Sequence, residues 1–105
     1  MTIDNIHIYR MLSGDEVIGH KIDETDTTIT LEKARVVVFQ QLQQSQDGPP
    51  TVGVHFYPLS MIRQSKDEFP IMKTAIFGEV TNPEQEFVDQ YVESTTSLQL
   101  VRAPL

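Results

Sequence analysis

Runs in which apolar and polar residues alternate recur along the chain, and such runs are typical of β-strands, whose successive side chains point to opposite faces of a sheet. The first run, residues 6–12, is apolar on both faces, with isoleucines on one face and Tyr9 and Met11 on the other. We therefore expect both faces of this strand to be covered. Gly14 suits the positive φ angle of a tight turn into a second strand at residues 16–22.

Later runs predict longer and more distorted strands. Gly19, in the middle of the second strand, indicates a sharp bend or a close approach of another backbone segment. The third strand is expected to run from Thr27 to Gln41, with a bulge or bend near residues 33–35, where the alternation is lost. Long, bent strands of this kind curl a small sheet towards a barrel. After a glutamine-rich loop at 40–50, we expect a strand at 51–57, a loop at 59–70, a strand at 71–80 and a short last strand at 97–101.

A helix is predicted near the C-terminal end of the chain. Asn82 is expected to cap it, with Pro83 at the first helical position and glutamates near the positive end of the helix dipole. From there the helix is expected to run to about Ser94. Its apolar residues form one stripe: Phe87, Val88, Tyr91 and Val92. We expect this stripe to dock on the sheet or on a neighbouring subunit.

Length and composition restrict the range of functions. The 105 residues, of which 39% are hydrophobic, predict a single domain over residues 1–105 with a modest core, which a small β domain often completes by oligomerising. The chain has no cysteine, so disulfides, thiolate metal sites and cysteine catalysis are excluded. The sequence has the features of neither a signal peptide nor a membrane span. We therefore expect a cytoplasmic protein with no membrane partner.

No cluster of residues predicts catalysis or metal binding. His7, His20 and His55 lack the short spacings of metal ligands, and a histidine within a strand is far more often structural. Adjacent carboxylates such as Asp15 and Glu16 face opposite sides of a strand, so they cannot act together as a general acid and base. The glycine-rich phosphate loops and the serine nucleophile motif are absent from the sequence. We therefore expect that the protein is not an enzyme and that it binds neither a metal ion nor a cofactor.

The charged residues are unevenly distributed. The formal net charge of −7 argues against indiscriminate binding to duplex nucleic acid, because phosphate attraction dominates such binding. Residues 27–75, however, contain five basic and four acidic residues. A fold that gathers these bases would create a local positive patch, whereas scattered, solvated charges would create none.

Two stretches of the chain resemble the Sm motifs of Sm/LSm proteins. In the first, Leu12 and Gly14 are followed five residues later by Gly19 and then by an acidic turn, where Asp26 corresponds to the family's aspartate, one residue late. A Thr-Ile-Thr-Leu strand follows that turn, as in the family. The base-contacting asparagine of the family has no counterpart at Thr28 or Ile29.

The second stretch, residues 76–80, is similar to the Ile-Arg-Gly-x-x-Val motif, shortened by one residue and with Phe77 in place of the arginine. The segment between residue 51 and Gly78 is longer than in the family, so it contains an insertion or follows another register. The opening IYRMLSGDEVIG and the later NPEQEFVDQY also resemble small proteins of marine cyanophages, which would place the protein in the cytoplasm of the host cell.

The resemblance implies a small, strongly bent antiparallel barrel of about five strands, here with one short helix near the C-terminus instead of the family's N-terminal helix. It also implies a homo-oligomeric ring of five to seven subunits, because unpaired edge strands are satisfied by the edge of the next subunit. Single-stranded RNA or DNA is the ligand that the resemblance implies.

Seven residues are candidates for contact with nucleic acid. Phe77, next to Gly78, is the best single candidate, because an exposed aromatic ring can stack on a base. The alternative for Phe77 is a role in the core or in a subunit interface. The remaining candidates are Tyr57 as a second stacking ring, Lys33, Arg35 and Lys73 as phosphate partners, and Asp26 as the aspartate of the motif.

Two functions therefore remain open at this point. The first is a ring that binds single-stranded RNA or DNA through several weak sites and takes part in nucleic-acid processing. The second is a structural or protein-binding oligomeric scaffold without nucleic-acid binding. The two motifs and the basic residues in the middle of the chain motivate the first function, whereas the net acidity and the absence of the family's asparagine and arginine motivate the second.

Overall fold

The computed structural model of the chain describes residues 5–42, 51–60, 62 and 65–102. In this part of the chain the fold is mainly β, with one C-terminal helix, as predicted. The elements are β1 (Ile6–Met11), β2 (Glu16–Glu24), β3 (Thr28–Leu42), β4 (Thr51–Pro58), β5 (Glu68–Met72), a 3-10 turn (Lys73–Ala75), β6 (Ile76–Glu79) and α1 (Gln85–Arg102). Most of the predicted glutamine-rich loop, residues 43–50, lies outside the described residues.

The six strands form one antiparallel sheet in the order β4–β3–β2–β1–β6, and β5 pairs with β3 as well. β4 pairs with residues 35–42 of β3 and β5 pairs with residues 28–32. Because β2 occupies the other side of β3, β4 and β5 follow one another along the same side. Among the described residues the two ends of the sheet are not paired with each other. The sheet is open, and the predicted closed barrel is not confirmed.

A bulge bends the two central strands together. The pairing of β3 with β2 shifts by one residue near Lys33, whose φ angle of 55° lies in the left-handed region. This is the bulge predicted near residues 33–35. Beside it, a Cβ atom on Gly19 would stand 3.0 Å from the Cβ atom of Leu31 and 3.2 Å from the Cα atom of Ala34. The close backbone approach predicted at Gly19 is therefore confirmed.

Hydrophobic residues pack on both faces of the sheet. On one face the buried cluster comprises Tyr9, Val17, Ile29, Leu31, Ala34 and Ile71. On the other face the buried cluster comprises Ile8, Ile18, Val37 and Tyr91, so α1 covers this side. β1 contributes a buried residue to each cluster, which confirms that both of its faces are covered. The predicted stripe of α1 faces the sheet, with Val88 and Tyr91 buried.

The predicted ends of the helix are wrong. α1 begins at Gln85 rather than after Asn82, and the backbone N–H groups of Phe87 and Val88 donate to the Glu84 carbonyl (3.1 and 3.3 Å). It continues through residues 97–101, where a last strand is predicted. The hydroxyl group of the buried Thr95 donates to the backbone carbonyls of Tyr91 and Val92, each at 3.1 Å. These contacts satisfy the polar group of a β-branched residue inside a helix.

The prediction for residues 59–80 is also wrong in part. β5 begins at Glu68, within the predicted loop, and Pro70 lies in it opposite Thr30 of β3. A strand that pairs on one side only tolerates a proline, because no second neighbour needs its missing N–H group. The predicted strand at 71–80 is broken by the 3-10 turn Lys73–Ala75. The described part of the sheet thus has six strands rather than about five.

Candidate functional site

The seven predicted contact residues fall into two groups. Lys33 and Arg35 lie at the β3 bulge, close to Tyr57 of β4, which pairs with the next residue of β3. The second group comprises Asp26 in the β2–β3 turn, Lys73 in the 3-10 turn, and Phe77 and Gly78 in β6. The two turns are joined, because the backbone N–H of Lys73 donates to the carbonyl of Thr27 (2.8 Å).

Arg35 is engaged within the protein. Its guanidinium donates to both carboxylate oxygens of Asp67, at 2.9 and 3.3 Å, and to the carbonyl of Ala34 at 2.8 Å. Only 17% of the side chain is exposed. These three hydrogen bonds use three of the five N–H donors of the guanidinium, and the Asp67 carboxylate would compete with a phosphate group for the same side chain.

Lys33 joins three parts of the fold through its backbone. Its N–H donates to the carbonyl of Asp67 (2.8 Å), and its own carbonyl accepts the hydroxyl of Tyr91 (2.6 Å). The Tyr91 ring is buried, and this burial raises the pKa of its phenol. The ring of His20 lies 5.8 Å from that of Tyr91, and burial followed by the charge of Lys33 lowers the pKa of His20. The bulge therefore has a structural role in addition to any ligand contact.

Lys73 belongs to a cluster that the sequence does not reveal. The Glu24 carboxylate lies 2.8 Å from the ammonium groups of both Lys21 and Lys73. Hydrogen bonds from these two lysines lower the pKa of Glu24 to about 2. The three side chains together carry a net charge of +1, at the joined turns that also contain Asp26. Only the spacing of Lys21 and Glu24 is visible in the sequence, since Lys73 reaches them through the fold.

Two of the predicted aromatic residues are exposed. Phe77 is 71% exposed and is the additional residue at the point where the pairing of β6 with β1 shifts. Tyr57 is 50% exposed, with its ring stacked at 5.9 Å on that of His55. Phe77 is therefore not part of this chain's own core. A Cβ atom on Gly78 would meet nothing within 4 Å, so space alone does not require glycine there.

The open edges of the sheet carry apolar side chains. In the described part of the chain, β4, β5 and β6 each pair with a strand on one side only. Each of them exposes a large apolar residue: Tyr57 on β4, Met72 on β5 (53% exposed) and Phe77 on β6. Unpaired backbone groups beside exposed apolar side chains are typical of surfaces that join another chain. The edge formed by β4 and β5 lies at one end of the strand order, and the edge formed by β6 lies at the other.

The edge strand β6 is tied to β1 by a pair that the sequence does not indicate. The Nδ1 atom of His7 lies 2.7 Å from a carboxylate oxygen of Glu79. The His7 ring also stacks on Tyr9, with ring centroids 5.9 Å apart. His7 thus has partners on both strands, in keeping with a structural role.

Within the described residues, no group of three or more histidine, cysteine or carboxylate side chains is placed to hold a metal ion. None of the helical segments in that part of the chain combines the length and the apolarity that crossing a membrane requires. Comparison with models of known protein families found no match, and comparison with curated proteins found none either.

Proposed function

We propose that this chain is the subunit of an Sm-like homo-oligomeric ring that serves as a structural or protein-binding scaffold. The observation that carries the proposal is the open sheet, which has two different edges with an exposed apolar residue on each edge strand. Joining the β4–β5 edge of one subunit to the β6 edge of the next would pair backbone groups of both, except at Pro70 of β5, which has no N–H to donate. Contacts between two different surfaces are head-to-tail, and they close into a ring when the rotation permits.

The strand order supports the Sm-like interpretation. β4 and β5 lie end to end along β3, so together they are equivalent to one interrupted strand. Counted in this way, the sheet has the five strands that the resemblance implies. In this interpretation the sequence between β4 and β5 would account for the greater length between residue 51 and Gly78, which the sequence alone attributes to an insertion or to another register. Five to seven subunits form the ring in this interpretation.

The electrostatics support scaffolding over nucleic-acid binding. Of the predicted phosphate partners, Arg35 is paired with Asp67 and Lys73 with Glu24. The formal net charge of −7 on each subunit is multiplied in a ring. An acidic assembly repels phosphate at long range, and that repulsion opposes the main source of nucleic-acid affinity.

Single-stranded nucleic acid is the second candidate ligand, and the Lys21–Glu24–Lys73 cluster favours it. A ring repeats this net positive cluster once per subunit, so weak sites can act together on one strand. Stacking on the exposed ring of Phe77 would add about 1–3 kcal/mol per base. Binding of a short oligo(U) RNA at two salt concentrations tests this candidate. If nucleic acid is the ligand, binding should weaken as the salt concentration rises and should be lost when Lys21 and Lys73 are both changed to alanine.

The mass of the protein in solution tests the ring. Light scattering should give five to seven times the subunit mass of 12.0 kDa. Two variants each block one edge: Met72→Glu on β5 and Phe77→Glu on β6. Ile62→Glu is the matched control, because Ile62 is 78% exposed and lies outside the strands.

Mixing the two blocked variants tests the direction of pairing. Each variant keeps one intact edge, so head-to-tail pairing predicts monomers of each alone and a one-to-one dimer in the mixture. A wild-type monomer at all concentrations would refute the ring. Dimers formed by either variant alone would refute head-to-tail pairing.

A further inference from the structure

An open groove of about 340 Å³ lies on the face of the sheet that α1 covers, and Val80, directly after β6, is one of its lining residues. Its floor is apolar and includes Ile8 and Val37, and one wall is formed by Phe39 and Phe87. The groove lies beside the start of α1, where the helix leaves part of this face uncovered. Its volume is within the range of binding pockets for small ligands and side chains.

Phe39 is the most informative residue of this groove. Its side chain is 57% exposed although its ring packs against that of Phe87, with centroids 6.3 Å apart. The lining thus keeps a large aromatic surface in contact with water. An apolar side chain placed between Phe39 and the floor would remove this surface from water, which is favourable.

The charges at the rim restrict the occupant. Among the described residues that line the groove, the two charged ones are both acids, Glu16 and Glu84. The Arg10 guanidinium lies 3.7 Å from a carboxylate oxygen of Glu16, and the two side chains are 61% and 33% exposed. An ion pair in contact with water contributes little free energy, so it does not fix Arg10 against Glu16. An occupant with apolar residues in the floor and basic residues at the rim would match both features.

We propose that this groove binds a short peptide segment of a partner protein, in which large apolar residues are flanked by lysine or arginine. A second copy of this chain matches less well, because each copy has a net charge of −7. Three of its eight lysines and arginines, Lys21, Arg35 and Lys73, are also in ion pairs. The proposal goes beyond ring formation and does not depend on it, since it uses the face of the sheet rather than its edges.

Tryptophan fluorescence provides a direct test, because the chain contains no tryptophan. The probe is the acetylated peptide KLWLK, and the peptide ELWLE is its charge-reversed control. We expect KLWLK to bind saturably with a blue shift of its emission, and ELWLE to bind at least tenfold more weakly. The Phe39→Ala variant should weaken binding of KLWLK at least fivefold, whereas Ile62→Ala should leave it unchanged.

A second variant tests separately whether the acidic residues of the groove select a basic peptide. Glu84→Lys changes an exposed residue ahead of α1 and leaves Glu16 opposite a new positive charge, so it should largely remove the preference for KLWLK over ELWLE. Equal binding of KLWLK and ELWLE, no blue shift with either peptide, or unchanged binding by Phe39→Ala would overturn the proposal. Self-association that is lost in Phe39→Ala, without peptide binding, would assign the groove to a second copy and also overturn it. These readouts are independent of the ring, because neither Phe39 nor Glu84 lies on an edge strand.

Discussion

A single methyl group at Gly19 should destabilise the fold, because the backbone of β3 lies directly against it. In Gly19→Ala the new Cβ atom would stand 3.0 Å from the Cβ atom of Leu31 and 3.2 Å from the Cα atom of Ala34. Both neighbours belong to or adjoin the backbone of one strand, so neither can move aside by a rotamer change. Relief requires β2 and β3 to separate by a few tenths of an ångström at their bulge.

The expected loss follows from two opposing effects. Overpacking in a close-packed interior costs about 1–3 kcal/mol. Replacing glycine by alanine restricts the unfolded chain, which offsets about 0.4–1 kcal/mol of that cost. The middle values of these two ranges differ by roughly 1.3 kcal/mol, so we expect the free energy of unfolding to fall by roughly 1–2 kcal/mol. For a domain of this size that corresponds to a decrease in Tm of roughly 4–16 °C.

Circular dichroism during thermal unfolding measures this loss, at one protein concentration because assembly makes Tm depend on concentration. Gly78→Ala is the matched control, since a Cβ atom there meets nothing within 4 Å. Its Tm should equal or exceed that of the wild type. A Gly19→Ala variant as stable as Gly78→Ala would refute the close packing of β2 on β3.

Two further predictions concern the contacts of α1 with the bulge. Tyr91→Phe removes the hydroxyl that donates to the Lys33 carbonyl (2.6 Å) and leaves this carbonyl without that bond, so the free energy of unfolding in urea should fall by about 1–2 kcal/mol. The pKa of His20 is lowered below its ordinary value of about 6.5, so the unfolded state takes up the proton first and stability falls as the pH decreases from 7 to 5. Urea titrations should show that His20→Gln reduces this dependence; an unchanged dependence would contradict the role of His20.

Local features of the fold could be predicted from the sequence because they depend on neighbouring residues. The alternation in β1, the bulge near Lys33 and the apolar stripe of α1 each arise from periodicity over a few positions. The close approach at Gly19 follows from a glycine within a strand that otherwise has strand-forming residues. These predictions needed no knowledge of which strands pair.

Features that depend on distant pairing could not be predicted in this way. Asp67 reaches Arg35 only because β5 follows β4 along β3. Lys73 reaches Glu24 only because two turns meet. Residues 97–101 have the local pattern of a strand but continue α1, which ends at Arg102, so the local pattern alone did not distinguish the two structures.

The arrangement of β3 also has a consequence for the order of folding. This strand is the common partner of β2, β4 and β5, and its first residues pair with a segment about forty positions later in the chain. The β2–β3 hairpin closes a short loop, whereas β5 can pair only after a long one has closed, which costs more entropy. Local contacts form sooner than such distant ones. The edge that β5 contributes would therefore be completed after the central hairpin, so a chain newly released from synthesis would acquire its full pairing surface only after β2 and β3 have paired.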